Sequence, residues 1–391
     1  MNELGDRIKV MRVVTAPYCI DFHLAYTLKN MQNDFEVCVV GNGVSKFRDS
    51  YPNIVWVDLP LERKPSLLKD ITATVRLYRL IRKWKPDVTH SLMPKAGLIA
   101  AIAAFLARVP VRMHTYTGQV WATKSGASKY VLWFFDWVVN ALNTVCLTDS
   151  KSQSLLLANH YICHRGKPLP IISQGSLSGV DLSRFNRVTL RSKADNLRGK
   201  LGIEEGTFIF SYIARKTRDK GAIDMLLSFL QVVEKYPDAK LLFVGPDDSL
   251  GEVDKLFSCN PVLESSVIRV DEAVTNHEVY LMLSNVLCLP SYREGFGSIV
   301  IDAASLGVPT IGYEIMGLID AVVKNETGVL VPVGNKASFA GAMINFVEDP
   351  EYVIKLGEAA KERVYKYFDA NIIYAEQKKF YHNEIKAVYN E

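Results

Sequence analysis

The sequence predicts an α/β protein of two successive halves, each a parallel sheet with helices on both faces. Three observations predict it. Short apolar runs of strand length alternate with helix-period runs through the first part of the chain. A stretch rich in Gly, Ser and charge, Ser173 to Lys200, then interrupts the alternation, and a second alternating series follows. At 391 residues the chain is also too long for one ordinary core.

In the first series Ile8 to Val14 reads as a strand, His23 to Met31 as a helix, and Phe35 to Val40 and Ile54 to Val57 as strands. A basic helix follows and ends at the Lys85-Pro86 boundary. Val88 to His90 is a short strand, the alanine-rich run Gly97 to Arg108 a helix, and Val111 to His114 the next strand. The aromatic run Val131 to Asn140 has helix spacing and reads either as a core helix or as one lying on lipid. Thr144 to Leu147 is a strand, with a helix after Ser150. The second series places strands at Thr207 to Ala214, Lys240 to Gly245, Ser266 to Val270, Asn285 to Pro290, Thr310 to Gly312 and Val329 to Val331, and a helix at Gly221 to Lys235. From Ala337 the pattern is helical. The domains are therefore set at residues 1–185 and 186–371, with a final helix, about 372–391, long enough to cross back to the first.

Composition narrows the class. A hydrophobic fraction of 49% with 23% charged residues is that of a soluble globular protein, and no run approaches the roughly 18 apolar residues of a membrane span. The opening MNELGDRIKVMRVV lacks the apolar centre of a signal peptide and reads as entry into a first strand. Six cysteines without C-x-x-C spacing read as free thiols in a reducing compartment, so a cytoplasmic location is expected. Residues 1–185 carry 23 Lys+Arg against 13 Asp+Glu, a balance of +10, and the remainder 23 against 29, a balance of −6. The basic residues concentrate between Lys64 and Lys85, where Arg76, Arg79, Arg82, Lys83 and Lys85 ride on a helix. A solvated face, an anionic membrane surface and nucleic acid are all readings of that charge.

The chemistry centres on Ser291 to Asp302, a glycine loop between a strand and a helix. Gly295 and Gly297 let backbone approach a ligand, and the amides of Phe296, Gly297 and Ser298 open the helix where a phosphate or a polar sugar edge is favoured. Glu294 and Asp302 flank the loop, so each can touch a different part of one elongated ligand. After the first strand of the second half, Arg215, Lys216, Arg218 and Lys220 gather positive charge where open α/β sheets bind ligands. Guanidinium and ammonium groups suit phosphate oxygens, and with the helix amides they describe a diphosphate site. The sequence has no Asp-x-Asp and no paired cysteines, so neither a metal nor a resident cofactor is expected.

These motifs resemble the retaining, nucleotide-sugar-dependent glycosyltransferases of family 4, whose GT-B fold sets two Rossmann-like domains facing each other across a cleft. The resemblance rests on Arg215 and Lys220 followed by Gly221, on Pro290-Ser291 followed by Glu294-Gly-Phe-Gly297, on Gly307-Val-Pro309, and on Glu326-Thr-Gly328. Asp87-Val-Thr-His90, His114 and Gly179-Val-Asp181 extend it into the first half, and the whole is similar to bacterial capsule and lipopolysaccharide-assembly members.

The resemblance implies that Arg215 and Lys220 neutralise the leaving diphosphate and that Glu294 binds donor-sugar hydroxyls. Phe296, Gly297 and Ser298 would offer amides, Asp302 would bind ribose, and His114 would contact the donor sugar. His90, Lys95 and Trp121 are weaker candidates beside it. The chain departs from the family pattern at four places. Asp302 stands for glutamate, Ala214 for glycine, Thr15 to Phe22 for a glycine-rich loop, and Met316-Gly-Leu-Ile-Asp320 for a Gly-Gly-x-x-Glu turn. The implied activity is metal-independent, retaining transfer of a hexose or N-acetylhexosamine from a UDP-sugar to a lipid-linked or growing surface glycan. The expected partners are the donor, that acceptor and the inner membrane face, not nucleic acid. A UDP-sugar 2-epimerase and a silent sugar-nucleotide-binding subunit are the alternatives.

Overall fold

The computed structural model describes residues 7–61 and 66–389, so Lys64 and the first six residues lie outside it. The chain forms two compact units, one of residues 1–178 with 370–391 and one of residues 179–369.

The first unit runs β1 (Lys9–Val13), α1 (Ala25–Asp34), β2 (Glu36–Gly41), β3 (Ile54–Asp58), α2 (Leu67–Trp84), β4 (Val88–Leu92), α3 (Pro94–Leu106), β5 (Val111–Tyr116), α4 (Ala127–Leu142), β6 (Val145–Thr148) and α5 (Lys151–Asn159). Its sheet is parallel throughout, in the order β3-β2-β1-β4-β5-β6. Strand period divides the side chains between two faces. Along β1, Val10 joins a core with Leu28 of α1, whereas Met11 and Val13 join Leu77 of α2 and Ala100 of α3.

The second unit runs α6 (Arg187–Lys200), β7 (Ile209–Ile213), α7 (Ala222–Lys235), β8 (Lys240–Val244), α8 (Glu252–Cys259), α9 (Val262–Ser266), β9 (Val267–Val270), α10 (His277–Leu283), β10 (Val286–Leu289), α11 (Ser298–Ser305), β11 (Thr310–Tyr313), α12 (Leu318–Ala321), β12 (Gly328–Val331), α13 (Lys336–Glu348) and α14 (Pro350–Tyr367). Its parallel sheet is ordered β12-β11-β10-β7-β8-β9, which repeats the connectivity of the first. In each unit the chain reverses its direction of travel beside the first strand, between β1 and β4 and between β7 and β10. Doubly wound sheets bind ligands at the carboxyl ends of such strands.

The last helix, α15 (Ala370–Tyr389), belongs to the first unit, where Phe35 meets Tyr381 edge-on with ring centroids 5.7 Å apart. The Tyr381 hydroxyl lies 2.6 Å from Arg12 and 2.7 Å from His90, both buried on neighbouring strands β1 and β4. A buried guanidinium needs such partners, which locks the helix to the sheet.

Two expectations are corrected. The first unit ends at Ser178, not after residue 185, because Val180 bonds back to Phe368 (2.7 Å) and Phe185 is packed in the second core. The presumed connection up to Lys200 contains α6, since the Asn186 side chain caps the amides of Val188 and Thr189 while Leu190 and Ala194 are buried. The aromatic helix α4, left open above between core and surface, has Asp136 and Val139 facing inward and Tyr130, Phe134 and Trp137 exposed.

All six cysteines are free, and four of them, Cys19, Cys38, Cys146 and Cys288, are buried. Among the described residues no helix is long and apolar enough to cross a membrane.

Candidate functional site

The two loops singled out by sequence leave the carboxyl ends of β7 and β10, the adjacent strands at the reversal of the second sheet. They are bound to each other. Tyr292 donates its backbone N–H to the Asp219 carbonyl at 2.9 Å, and Arg293 reaches the Asp219 carboxylate at 3.2 Å. Across this junction the Lys220 ammonium lies 2.7 Å from both oxygens of Glu294. The two side chains are mostly buried, 21% and 12% exposed, so the pair is better shielded from solvent than a surface salt bridge.

Two glycines hold this arrangement. Gly221 has φ +69°, and a Cβ there would stand 1.9 Å from the Pro290 carbonyl oxygen. Gly317 has φ +85°, and a Cβ there would stand 2.6 Å from the Gly295 oxygen and 2.9 Å from that of Glu294. The single glycine kept in Met316-Gly-Leu-Ile-Asp320 is therefore the one on which the Glu294 loop rests. Tyr292 adds a tether, donating its hydroxyl to Asp224 at 2.6 Å beside Tyr313 at 2.8 Å. Burial, then the Asp224 carboxylate, push the Tyr292 phenol up to about 12, so it stays a donor at neutral pH.

The basic cluster divides. Lys216 is turned fully inward, donating to the carbonyls of Gly245 and Val270 at 2.7 Å each and to Asp271 at 2.5 Å, and it ties β7 to the ends of β8 and β9. Arg218 is exposed and paired with Glu252. Lys216, with all three ammonium hydrogens engaged, has none left for a diphosphate, which narrows the four-residue reading, while Arg218 stands in a surface ion pair. Arg215, 3.5 Å from Asp248, and Lys220 keep positions from which a ligand can be met.

Phe296 is 2% exposed and packs against Phe368, with ring centroids 5.3 Å apart, so its side chain anchors the loop and only its backbone can face a ligand. Gly297 is the N-cap of α11 and Ser298 its first residue, and the first amides of a helix have no partner within it. Asp302 lies on the second turn, with Oδ2 3.0 Å from His277 Nε2. His277 went unnoticed in the sequence because α10 is only seven residues long and its period is hard to see. Among the described residues no group of acidic, His and Cys side chains could hold a metal ion.

The candidates in the first unit are more deeply placed. His114, on β5, is 1% exposed, with Nδ1 2.9 Å from Ser91 Oγ and its ring against Gly97, where a Cβ would lie 2.5 Å away. His90 is held by Arg12, Tyr381 and Thr115 and is structural. Lys95 pairs with Asp70 at 2.7 Å. Trp121 is buried and donates to Asp136 at 2.7 Å, which makes it packing, not a pocket wall.

Burial lowers His114 from 6.5 to about 3, while burial, opposed by the Trp121 hydrogen bond, raises Asp136 from 3.8 to about 7. Between pH 3 and 6.5 the unfolded chain therefore binds a proton that folded His114 refuses. The stability from the neutral ring is complete above pH 6.5 and is lost as pH falls through that window. Asp136 acts oppositely, its stabilisation being complete below pH 3.8 and lost as pH rises through about 7. We expect His114→Gln to flatten the acid limb of the stability profile in urea unfolding between about pH 4 and 7. An unchanged slope would assign that titration to other groups.

Comparison with known proteins fits this geometry. Residues 193–363 match the family described as Glycosyl transferases group 1, and residues 22–164 match the Glycosyl transferase 4-like domain. The chain thus carries a group 1 glycosyltransferase domain and a glycosyltransferase 4-like domain. It is 26% identical over 383 residues to the capsular polysaccharide biosynthesis glycosyltransferase CapM of Staphylococcus aureus, covering 97% of this chain and 98% of that one. It is also 26% identical over 360 residues to the UDP-Gal:alpha-D-GlcNAc-diphosphoundecaprenol alpha-1,3-galactosyltransferase of Escherichia coli, covering 89% and 90% of the two chains. Among solved structures, sucrose-phosphate synthase of Thermosynechococcus elongatus superposes with a TM-score of 0.82 at 19% identity, over 97% of this chain and 100% of that one. The fold of this glycosyltransferase is thus GT-B, with a parallel six-stranded sheet in each unit.

Proposed function

We propose that this glycosyltransferase moves a hexose or N-acetylhexosamine from a UDP-sugar to a lipid-linked or growing surface glycan, with retention at the anomeric carbon and without a metal. The observation that carries the reading is the Lys220–Glu294 pair at the reversal of the second sheet, beside the opening amides of α11. Lys220 and Arg215 meet the diphosphate, Glu294 and the amides of Phe296, Gly297 and Ser298 meet sugar or phosphate oxygens, and Asp302 meets the ribose. In the transfer, the bond from C1 to the diphosphate oxygen breaks while the acceptor oxygen bonds C1 on the same face. The departing diphosphate takes the acceptor's proton. Charge grows on that oxygen as the bond lengthens, so fixed cations and amides stabilise the transition state more than the bound donor. The likeness to the Escherichia coli UDP-Gal:alpha-D-GlcNAc-diphosphoundecaprenol alpha-1,3-galactosyltransferase supports both the nucleotide and the acceptor class.

The test is a thermal-shift screen of UDP-, GDP-, ADP- and dTDP-sugars in the presence of a chelator. It is followed by transfer of the selected sugar to a polyprenyl-diphosphate-linked N-acetylhexosamine. Product with the donor's anomeric configuration is expected. Turnover of UDP-N-acetylglucosamine without an acceptor would replace this reading by a 2-epimerase, and binding without either reaction by a silent subunit.

The acceptor side includes a membrane surface. Tyr130, Phe134 and Trp137 stand on the outside of α4, with the rings of Phe134 and Trp137 stacked 6.1 Å apart. Leu67, Leu68 and Ile71 are exposed on α2, which also presents Arg76, Arg79, Arg82 and Lys83 to solvent. Helix α3 packs between α2 and α4, so the three line one side of the same sheet. Aromatic rings suit the headgroup level, and each basic side chain near anionic lipid adds about 1 kcal/mol. Vesicles rich in phosphatidylglycerol should retain the protein, phosphatidylcholine vesicles should do so less, and Phe134→Ser with Trp137→Ser should weaken retention at least ~10-fold. Equal partition between the two vesicle types would remove the membrane from the scheme.

A further inference from the structure

We propose that His277 is a positioning residue for the donor: it fixes the Asp302 carboxylate so that one ribose hydroxyl is read as an oriented hydrogen-bond donor. The inference rests on the assignment of Asp302 to the ribose made above and goes beyond it by naming what sets the carboxylate.

The geometry is specific. His277 opens α10, just after the loop that leaves β9, and is 6% exposed. Its ring lies beside Phe185, with centroids 5.5 Å apart, which limits its rotation. Its Nε2 is 3.0 Å from Asp302 Oδ2. A carboxylate only accepts, so Nε2 carries the hydrogen and the tautomer is set by this bond. The two residues come from different helices, α10 and α11, and the bond spans the layer between them.

Aspartate has one fewer rotatable bond than glutamate and reaches less far, so its orientation decides which ligand atoms it can meet. With Oδ2 engaged by the imidazole, a ligand hydroxyl meets Oδ1 or the remaining lone pair of Oδ2. A free carboxylate can chelate both hydroxyls of a vicinal diol with its two oxygens. A carboxylate pinned on one oxygen favours one of them. The consequence is a discrimination between nucleotides that lack the 2′ or the 3′ hydroxyl, set by a residue that need not touch the nucleotide.

The experiment is calorimetric binding of UDP, 2′-deoxy-UDP and 3′-deoxy-UDP to the full chain and to three variants, each checked for folding by circular dichroism. The unaltered protein should bind UDP about 10-fold more tightly than one of the two deoxy compounds, and the other deoxy compound much closer to UDP. In His277→Leu that ratio should fall towards one while affinity for the discriminated deoxy compound stays the same, because the diphosphate contacts are untouched. His277→Gln, whose amide can place a donor near the Nε2 position, should restore part of the ratio. A purely structural role would lower the affinity for all three nucleotides together and leave the ratio unchanged, which would overturn the proposal. Asp302→Ala separates the two levels: a ratio unchanged there would withdraw the ribose assignment itself, and the proposal with it.

Discussion

Lys220→Ala is expected to lower kcat by about 10²–10³-fold with a smaller change in donor KM. The ammonium group lies 2.7 Å from both oxygens of Glu294, in surroundings that exclude most solvent. It has three hydrogens, so it can hold the carboxylate with two and offer the third to a diphosphate oxygen. The interaction with the diphosphate strengthens as charge develops there, and its removal is therefore felt in the chemical step. Removal also takes from Glu294, 12% exposed, the cation that faces both its oxygens, and a shielded carboxylate that loses such compensation is destabilised. Arg215 cannot substitute, because its guanidinium is turned to Asp248 at 3.5 Å and its side chain is more exposed, at 39%. Lys220→Arg should recover little, since a planar fork does not reproduce a compact point charge. Saturation kinetics decide the matter: a raised KM with unchanged kcat would make Lys220 a ground-state grip on the donor. The double variant Lys220→Ala, Glu294→Gln should fall short of the sum of the single losses, because the two side chains act as one unit.

Much of this site is legible in the chain because it depends on local rules. Apolar runs of strand length end at Ala214 and at Pro290, and the loops of the proposed site follow them directly. Crossover connections are right-handed and short, so alternating strands and helices fix a parallel sheet without further information. What local rules cannot supply is direction. Arg215, Lys216, Arg218 and Lys220 look alike in sequence, yet Lys216 is drawn inward because two carbonyls and Asp271 converge on it from β8 and β9. The same holds for α4, where the spacing of Phe134 and Trp137 fits a core helix and an exposed one equally, and only the sheet below settles which side is covered. Helix α6 was hidden by its polar composition, which masks the two small buried positions Leu190 and Ala194. Position 221 carries a signal of a different kind, since a glycine after a basic residue has many explanations until the atom it faces is known.

That atom is the carbonyl oxygen of Pro290, and Gly221→Ala is expected to be the most destabilising single substitution at the site, by more than ~3 kcal/mol. Two contributions add. The backbone at φ +69° lies in the left-handed region, where a Cβ costs about 1–2 kcal/mol by itself. The new methyl group would also stand 1.9 Å from the Pro290 oxygen and 2.6 Å from its carbon, so the end of β10 and the start of α7 must separate. Gly202→Ala isolates the first contribution, because it has φ +64° with nothing within 4 Å of an added Cβ. Urea unfolding of the two variants should therefore differ by the steric contribution alone, with Gly202→Ala close to 1 kcal/mol. Separation at Gly221 also moves Lys220, its neighbour, away from Glu294, so activity should fall in whatever fraction remains folded. Equal destabilisation in the two variants would mean that the loop yields at little cost. The Lys220–Glu294 distance would then be set by the ion pair and not by the backbone contact beneath it. If instead Gly221→Ala alone collapses, the closeness of β7 and β10 is what brings the two charges together, and the pair depends on a residue that carries no chemistry of its own.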